Sequence, residues 1–198
     1  ISSPVTSSNR VVVSEPQVHR VSALDVITGK KKWSFVAGAA IEGPPTIRGD
    51  YVVFGSKDGW VYALALSDGE LVWKNMAAPA ERRIMVNEEL ESAWPALGPV
   101  VITENKVIAV AGRHNMAEAG ILVSGFDLAS GKKIWQSKTP HRALIKPLTS
   151  GVYQKVYDKR LGVTEPLPSA ALLGGWLVAN DKSVQIDRLA AFNIATGQ

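Results

Sequence analysis

The chain has 198 residues, 46% hydrophobic and 20% charged, with a formal net charge of +4 and no cysteine. This is a globular composition with enough length for one sizeable core. It excludes disulfide scaffolds, thiolate metal sites and cysteine nucleophiles, and no apolar run reaches the roughly 18 residues of a membrane-spanning helix. The first residue is Ile1 and no signal-peptide pattern follows, which reads as a processed chain or a piece of something longer.

In chain order, short β-rich runs alternate with turn residues. Val11-Val-Val13 and Val21 lead into Ala23-Leu-Asp25-Val-Ile-Thr28-Gly29-Lys-Lys-Lys-Trp33. The next unit is the clearest. Pro44-Pro-Thr-Ile47, Tyr51-Val-Val-Phe54, Trp60-Val-Tyr-Ala-Leu64 and Leu71-Val-Trp73 are separated by Arg48-Gly-Asp50, Ser56-Lys-Asp-Gly59 and Ser67-Asp-Gly69. Four short strands bounded by Gly and Asp turns make an antiparallel meander. The stretch Ala23–Trp33 recurs as Ala63–Trp73 and as Gly125-Phe-Asp127-Leu-Ala-Ser130-Gly131-Lys-Lys-Ile-Trp135. A fourth copy starts at Ala191 and stops after Gly197. The first two copies are 40 residues apart, which places Val11–Val13 on Tyr51–Val53 and Val21 on Val61. Later spacings of 62 and 66 residues require insertions.

A period of about 40 residues with four strands per unit predicts an all-β fold, a β-propeller of four-stranded antiparallel blades. The expected blades are 3–36, 43–75, 95–137 and 166–198, three complete and most of a fourth, hence a partial ring. The recurring Trp33, Trp73 and Trp135, with Gly29, Gly69, Gly131 and Gly197 at the turns, are expected to dock one blade on the next.

The insertions fall at 76–94, 111–120 and 139–165. In the first, Ile84, Val86 and Leu90 are too irregularly spaced for a helix, and Pro95–Ile102 beyond it reads as an innermost strand. Arg82, Arg83, Glu91 and Trp94 here, with Arg113 and His114 in the second, form a candidate cleft for a carboxylate-bearing or sugar-like ligand or a partner. Glu91 and Arg113 are expected to share it. The competing reading pairs Arg82, Arg83 and Glu91 with one another inside a buried loop. The third insertion concentrates the charge, with Lys138, Arg142, Lys146, Lys155, Lys159 and Arg160 against Asp158 alone. Residues 138–160 therefore suit an acidic partner; nucleic acid is disfavoured because a long loop spreads its charges. His19, His114 and His141 have no metal-ligand spacing, and Gly29-Lys30 and Gly131-Lys132 lack the rest of a phosphate loop.

The repeat resembles the PQQ-like (quinoprotein-type) β-propeller family, whose unit carries Ala-x-Asp-x-x-Thr-Gly-x-x-x-Trp. Ala23 to Trp33 matches it at every specified position, and the second copy departs at Ala65 and Asp68, the third at Gly125 and Ser130, the fourth at Asn193. The resemblance extends to the BamB-like and large bacterial repeat branches of the family. It implies a non-enzymatic scaffold, periplasmic or extracytoplasmic, that presents a ligand or binds protein or the rest of its own propeller. No catalytic residue, metal ligand or cofactor is expected on this chain. The alternative is a fragment of a PQQ-dependent oxidoreductase, for which the resemblance implies Ca²⁺ held by Glu and Asn, a catalytic Asp and often a vicinal Cys pair. None of these is recognisable here. A carbohydrate-binding or surface module is a further alternative, suggested by Trp60, Trp94 and Trp176.

Overall fold

The computed structural model describes residues 2–7, 9–113 and 120–138, the backbone of three strands beyond them, and Thr196. The first blade is β1 (Val5–Ser7), β2 (Arg10–Glu15), β3 (Arg20–Asp25) and β4 (Lys31–Val36), paired antiparallel in chain order. The second is β5 (Thr46–Arg48), β6 (Tyr51–Gly55), β7 (Trp60–Ala65) and β8 (Leu71–Met76). A two-stranded hairpin follows, β9 (Arg83–Val86) and β10 (Glu89–Ser92). The third blade is β11 (Val101–Thr103), β12 (Lys106–Ala111), β13 (Leu122–Asp127) and β14 (Lys133–Lys138). A three-stranded meander, β15 (Ser169–Leu173), β16 (Trp176–Ser183) and β17 (Ile186–Asn193), comes last. The first strands β1, β5, β11 and β15 neighbour one another, so they form the inner rim; the sheets succeed each other as an open arc of a β-propeller.

The two middle strands of the second and third blades are buried on both faces, so their alternating side chains pack in two directions. Val12, Val21, Ala23, Trp33 and Ile41 of the first blade pack on Val52, Phe54, Tyr62, Leu64 and Leu66 of the second. The opposite face of the second, with Val53, Val61, Ala63, Trp73 and Ala77, packs on Val107, Ala109, Phe126 and Leu128 of the third. Burial of an indole in such a junction contributes about 2–4 kcal/mol.

The recurring motif has a structural explanation in its turn. Asp25 Oδ1 accepts hydrogen bonds from the Ile27 and Thr28 amides and the Thr28 hydroxyl, and Asp127 Oδ1 does the same for Ser130. Where Ala65 replaces the Asp, Asp68 accepts from the Glu70 amide instead, and the backbone bond from Gly69 N–H to the Ala65 carbonyl survives. All three blades shift register just after Ala23, Ala63 and Gly125, the residues that pair with Trp33, Trp73 and Trp135. Gly69 and Gly131 meet two demands at once. Their φ angles are +78° and +70°, and a Cβ on either would lie 2.6 or 2.5 Å from the ring of Trp33 or Trp73. Trp135 covers Gly125 and packs beside Ile108, Val110, Ile121 and Val123 on the far face of the third blade. Gly197 lies outside the described residues.

Two sequence expectations are corrected. Val12, not Val13, is the counterpart of Val53, because Val12 pairs with Ala23 as Val53 pairs with Ala63. Val12 and Ala23 are 11 positions apart and Val53 and Ala63 only 10, so the β2–β3 hairpin, which turns through a 3-10 turn at Pro16–Val18, takes one residue more between equivalent pairs, and that slip exchanges the two faces of the strand. Pro95–Ile102 is not one strand: Ala96 makes a single bridge to Ala111, and the inner strand begins at Val101.

Candidate functional site

In a meander, connections alternate between the two ends of the blade. Turns 26–30, 49–50, 66–70, 104–105 and 128–132 lie at one end and are short. The long connections 37–45, 77–100, 112–121 and 139–168 all leave from the other. Of the candidate cleft residues, Arg82, Arg83, Glu91, Trp94 and Arg113 belong to this elaborated end.

The first insertion is a β-hairpin rather than irregular loop. Val86 pairs with Glu89 across a two-residue turn in which Asn87 and Glu88 have φ of 48° and 69°, the left-handed geometry of a tight hairpin turn. The Ser92 amide donates to the Lys57 carbonyl (2.7 Å), the Ala96 amide to the Ser56 carbonyl (3.0 Å) and the Ala93 amide to the Arg82 carbonyl (2.8 Å). Those bonds hold the hairpin against the β6–β7 turn. They also bury Glu91, whose side chain is only 1% exposed.

A buried carboxylate needs cationic partners. Arg113 Nη2 lies 2.8 Å from Glu91 Oε1 and 3.4 Å from the Ser92 carbonyl. Lys57 Nζ is 2.6 Å from Glu42, 3.7 Å from Glu89 and 3.9 Å from Glu91. Burial works against the Lys57 charge, but the Glu42 hydrogen bond and the charges of Glu42, Glu91 and Glu89 outweigh it and hold the ammonium above its ordinary pKa. Four chain segments are thereby joined: the β4–β5 connection, the β6–β7 turn, the hairpin and the start of the β12–β13 connection. Beside them, the buried Tyr62 hydroxyl donates to Asp58 at 2.5 Å, and burial together with that bond raises the phenol's pKa.

Of the residues expected in the cleft, Glu91 and Arg113 come together as an ion pair. Trp94 is buried. Arg83 is exposed and lies 4.0 Å from Glu81, while Arg82 is exposed and engages through its carbonyl; neither cation is shown on Glu91. His114 falls outside the described residues, as does the basic segment apart from Lys138. Lys57, Glu42 and Glu89 were missed: Lys57 sits in an ordinary Ser-Lys-Asp-Gly turn, and its acids lie 15 or more residues away in sequence. The acidic run Glu88, Glu89, Glu91 was the available signal.

The arrangement is a set of mutually neutralising charges that fixes loops, without a nucleophile held by a base. Among the described residues, no three of His, Cys, Asp and Glu are grouped to hold a metal ion. Trp94 is buried and Lys74 lies over the Trp60 ring, 4.9 Å from its centroid, so neither offers an open aromatic platform for a sugar.

Antiparallel four-stranded blades, docked by motif tryptophans around a common inner rim, define a PQQ-type β-propeller. The chain belongs to the family described as outer membrane protein assembly factor BamB, whose model matches residues 1–198. It resembles the polyvinylalcohol dehydrogenase of a Pseudomonas species, with 26% identity over 135 residues, 68% of this chain and 19% of that protein. Among solved structures it resembles BamB from Moraxella catarrhalis, with a TM-score of 0.61 and 14% identity over 100% of this chain and 47% of that one. It also resembles the quinohemoprotein alcohol dehydrogenase ADHIIG from Pseudomonas putida HK5, with a TM-score of 0.69 and 18% identity over 100% of this chain and 33% of that one. The chain therefore spans less than half the length of each. These structural likenesses carry the fold alone.

Proposed function

We propose that this chain is a non-enzymatic propeller segment that binds protein through its elaborated end, in an extracytoplasmic compartment. The observation that carries this reading is the Lys57–Glu42–Glu91–Arg113 cluster. It uses its charges to fix long connections at one end instead of leaving them open around a small-molecule pocket. The fixed hairpin presents Met85 and Leu90, cross-strand partners that are 68% and 50% exposed. Exposed apolar side chains on a held ribbon suit a protein surface. Membership of the assembly-factor family supports both role and compartment. No helix among the described residues is long and apolar enough to cross a membrane. The basic residues of 138–160 would give such a partner acidic character.

The second reading, part of a quinoprotein oxidoreductase, is favoured by the likeness to polyvinylalcohol dehydrogenase. Mass spectrometry for bound quinone and a Ca²⁺-dependent dye-reduction assay on the full-length protein separate the two. The scaffold reading expects neither quinone nor activity, and either one overturns it. Site-specific cross-linking from Met85 in the natural host should yield one dominant protein adduct, lost on Leu90→Asp.

A further inference from the structure

A strand at the edge of a sheet offers unpaired N–H and C=O groups to other chains, and folded proteins blunt such edges with lysine, proline or a bulge. The outer strands of the first three blades are blunted in two ways. Lys31 and Lys32 lie on β4, Lys74 on β8, and Lys133 and Lys138 on β14. Each strand also has one residue unmatched by its neighbour, Lys32, Val72 or Ile134, where the register shifts. Strand β9 of the inserted hairpin has neither device. Arg83-Ile-Met-Val86 contains no lysine or proline, and its four residues pair with β10 in unbroken register.

The hairpin register decides which way its main-chain groups point. In a two-residue hairpin the closing pair is hydrogen-bonded, and bonded pairs then alternate with unbonded ones. Val86–Glu89 closes the turn, so Ile84–Glu91 is the next bonded pair and Arg82–Ala93 the one after, in keeping with the bond from the Ala93 amide to the Arg82 carbonyl. The N–H and C=O groups of Met85 and Arg83 therefore point away from β10. The same parity aims Ser92 outward on the opposite edge. There the Ser92 amide donates to the Lys57 carbonyl at 2.7 Å, and its carbonyl accepts from Arg113 at 3.4 Å. One edge of the ribbon is thus fastened to the protein. On the other, the backbone groups of Arg83 and Met85 have no partner among the described residues.

We propose that the free edge of β9 takes an extended segment of a partner protein as an added strand, laid antiparallel, with an apolar residue opposite Met85 and an acidic residue two positions later opposite Arg83. This rests on the reading of the ribbon as a protein-binding surface and adds how the partner is held. Antiparallel pairing lets Met85 and Arg83 each donate to and accept from a single partner residue, whereas parallel bonds are slanted and weaker. The acid follows from charge. Arg83 is exposed, and Glu81 beside it lies 4.0 Å away and is exposed as well. A carboxylate directly across the strands gives the guanidinium a closer partner. The apolar residue follows from Met85 and Leu90, which stand side by side on the same face, 68% and 50% exposed. A second copy of β9 has no acid of its own to set opposite Arg83. Because the hairpin is already held, only the incoming segment loses conformational freedom.

The probe is the blocked peptide Ser-Thr-Ile-Thr-Glu-Thr-Ser, whose isoleucine faces Met85 and whose glutamate faces Arg83. By NMR, the Met85 and Arg83 amides should exchange fast in the free protein and slow by about tenfold or more at saturating peptide, while Ile84 stays slow throughout. N-methylation of the isoleucine and glutamate removes the N–H groups aimed at β9 and should weaken binding about 10- to 100-fold. N-methylation of the threonine between them, whose N–H faces away, should leave binding within about threefold. Lysine in place of the glutamate should weaken binding by about three- to fivefold, and Arg83→Glu should reverse that preference. Met85→Pro removes an outward N–H alone, so it should abolish binding while the far-UV spectrum and thermal midpoint hold. Equal effects of the two methylations, no peptide-dependent slowing, or a preference for the lysine peptide overturns the proposal. So does finding the two amides already slow in the full-length protein from its natural host. Any of these results beside a single dominant protein adduct from position 85 sinks the strand pairing alone; absence of both binding and adduct sinks the reading beneath it.

Discussion

Trp33 of the first blade reaches across the junction and donates its indole N–H to the Leu66 carbonyl of the second, 2.9 Å away. The bond satisfies a polar atom inside an apolar cluster, so its loss is felt as desolvation as well as lost packing. Trp33→Phe keeps an aromatic ring but strands that carbonyl, and should cost about 1–3 kcal/mol. Trp33→Ala should cost about 3–5 kcal/mol. Urea unfolding measures both, and a Trp33→Phe protein as stable as the parent would show that the bond contributes nothing.

Gly69→Ala and Gly29→Ala impose the same backbone strain at positive φ, about 1–2 kcal/mol. Only at position 69 does the new methyl meet an indole, at 2.6 Å. Gly69→Ala should therefore cost about 1–3 kcal/mol more than Gly29→Ala. Their difference in unfolding free energy reads the docking contact alone.

Arg113→Ala leaves Glu91 buried with Lys57 at 3.9 Å as its remaining cation, and should destabilise by about 3 kcal/mol. Adding Glu91→Gln should recover a large part of that, since the amide carries no charge to strand. A double-mutant cycle by thermal unfolding checks the sign of the coupling.

Hydrogen bonds from Arg20 and Ser22, with the Arg20 charge, hold the Glu15 carboxyl at about 2, against an ordinary value of 4.5. A depressed carboxylate stabilises the fold fully above 4.5, and that stabilisation fades as pH falls toward 2. In Arg20→Ala, an NMR titration should move Glu15 back up, and part of the stability loss between these pH values should disappear.

Glu88 holds φ +69° in the hairpin turn, a position that suits glycine. Glu88→Gly should stabilise the protein by about 0.5–1 kcal/mol. A rise in the thermal midpoint without a change in the far-UV spectrum is the expected result.

The repeat was legible because its turn chemistry is local: Asp25, Thr28 and Gly29 bond within five residues of one another. The face assignment of Val11–Val13 was not legible. Both faces of that strand are apolar, so alternation marks neither, and one extra residue in the next hairpin shifts the register unseen. The hairpin at 83–92 escaped because Asn87-Glu88 lacks the glycine that advertises such a turn. Glu91 and Arg113 stood out as charges within insertions. Lys57 did not, since its three carboxylates are brought to it by two separate connections.

The Trp33 and Trp73 indoles point from an earlier blade to a later one. Chain polarity and docking polarity thus coincide, and this sets an order during vectorial synthesis. When the first blade leaves the ribosome, Trp33 has no carbonyl to reach until Leu66 follows, 33 residues later. Trp73 waits longer, for Leu128 after 55 residues, because the hairpin and its connections lie between. Of these two blades the second therefore stays unsealed longer, and chaperone capture or premature proteolysis should fall on it more than on the first.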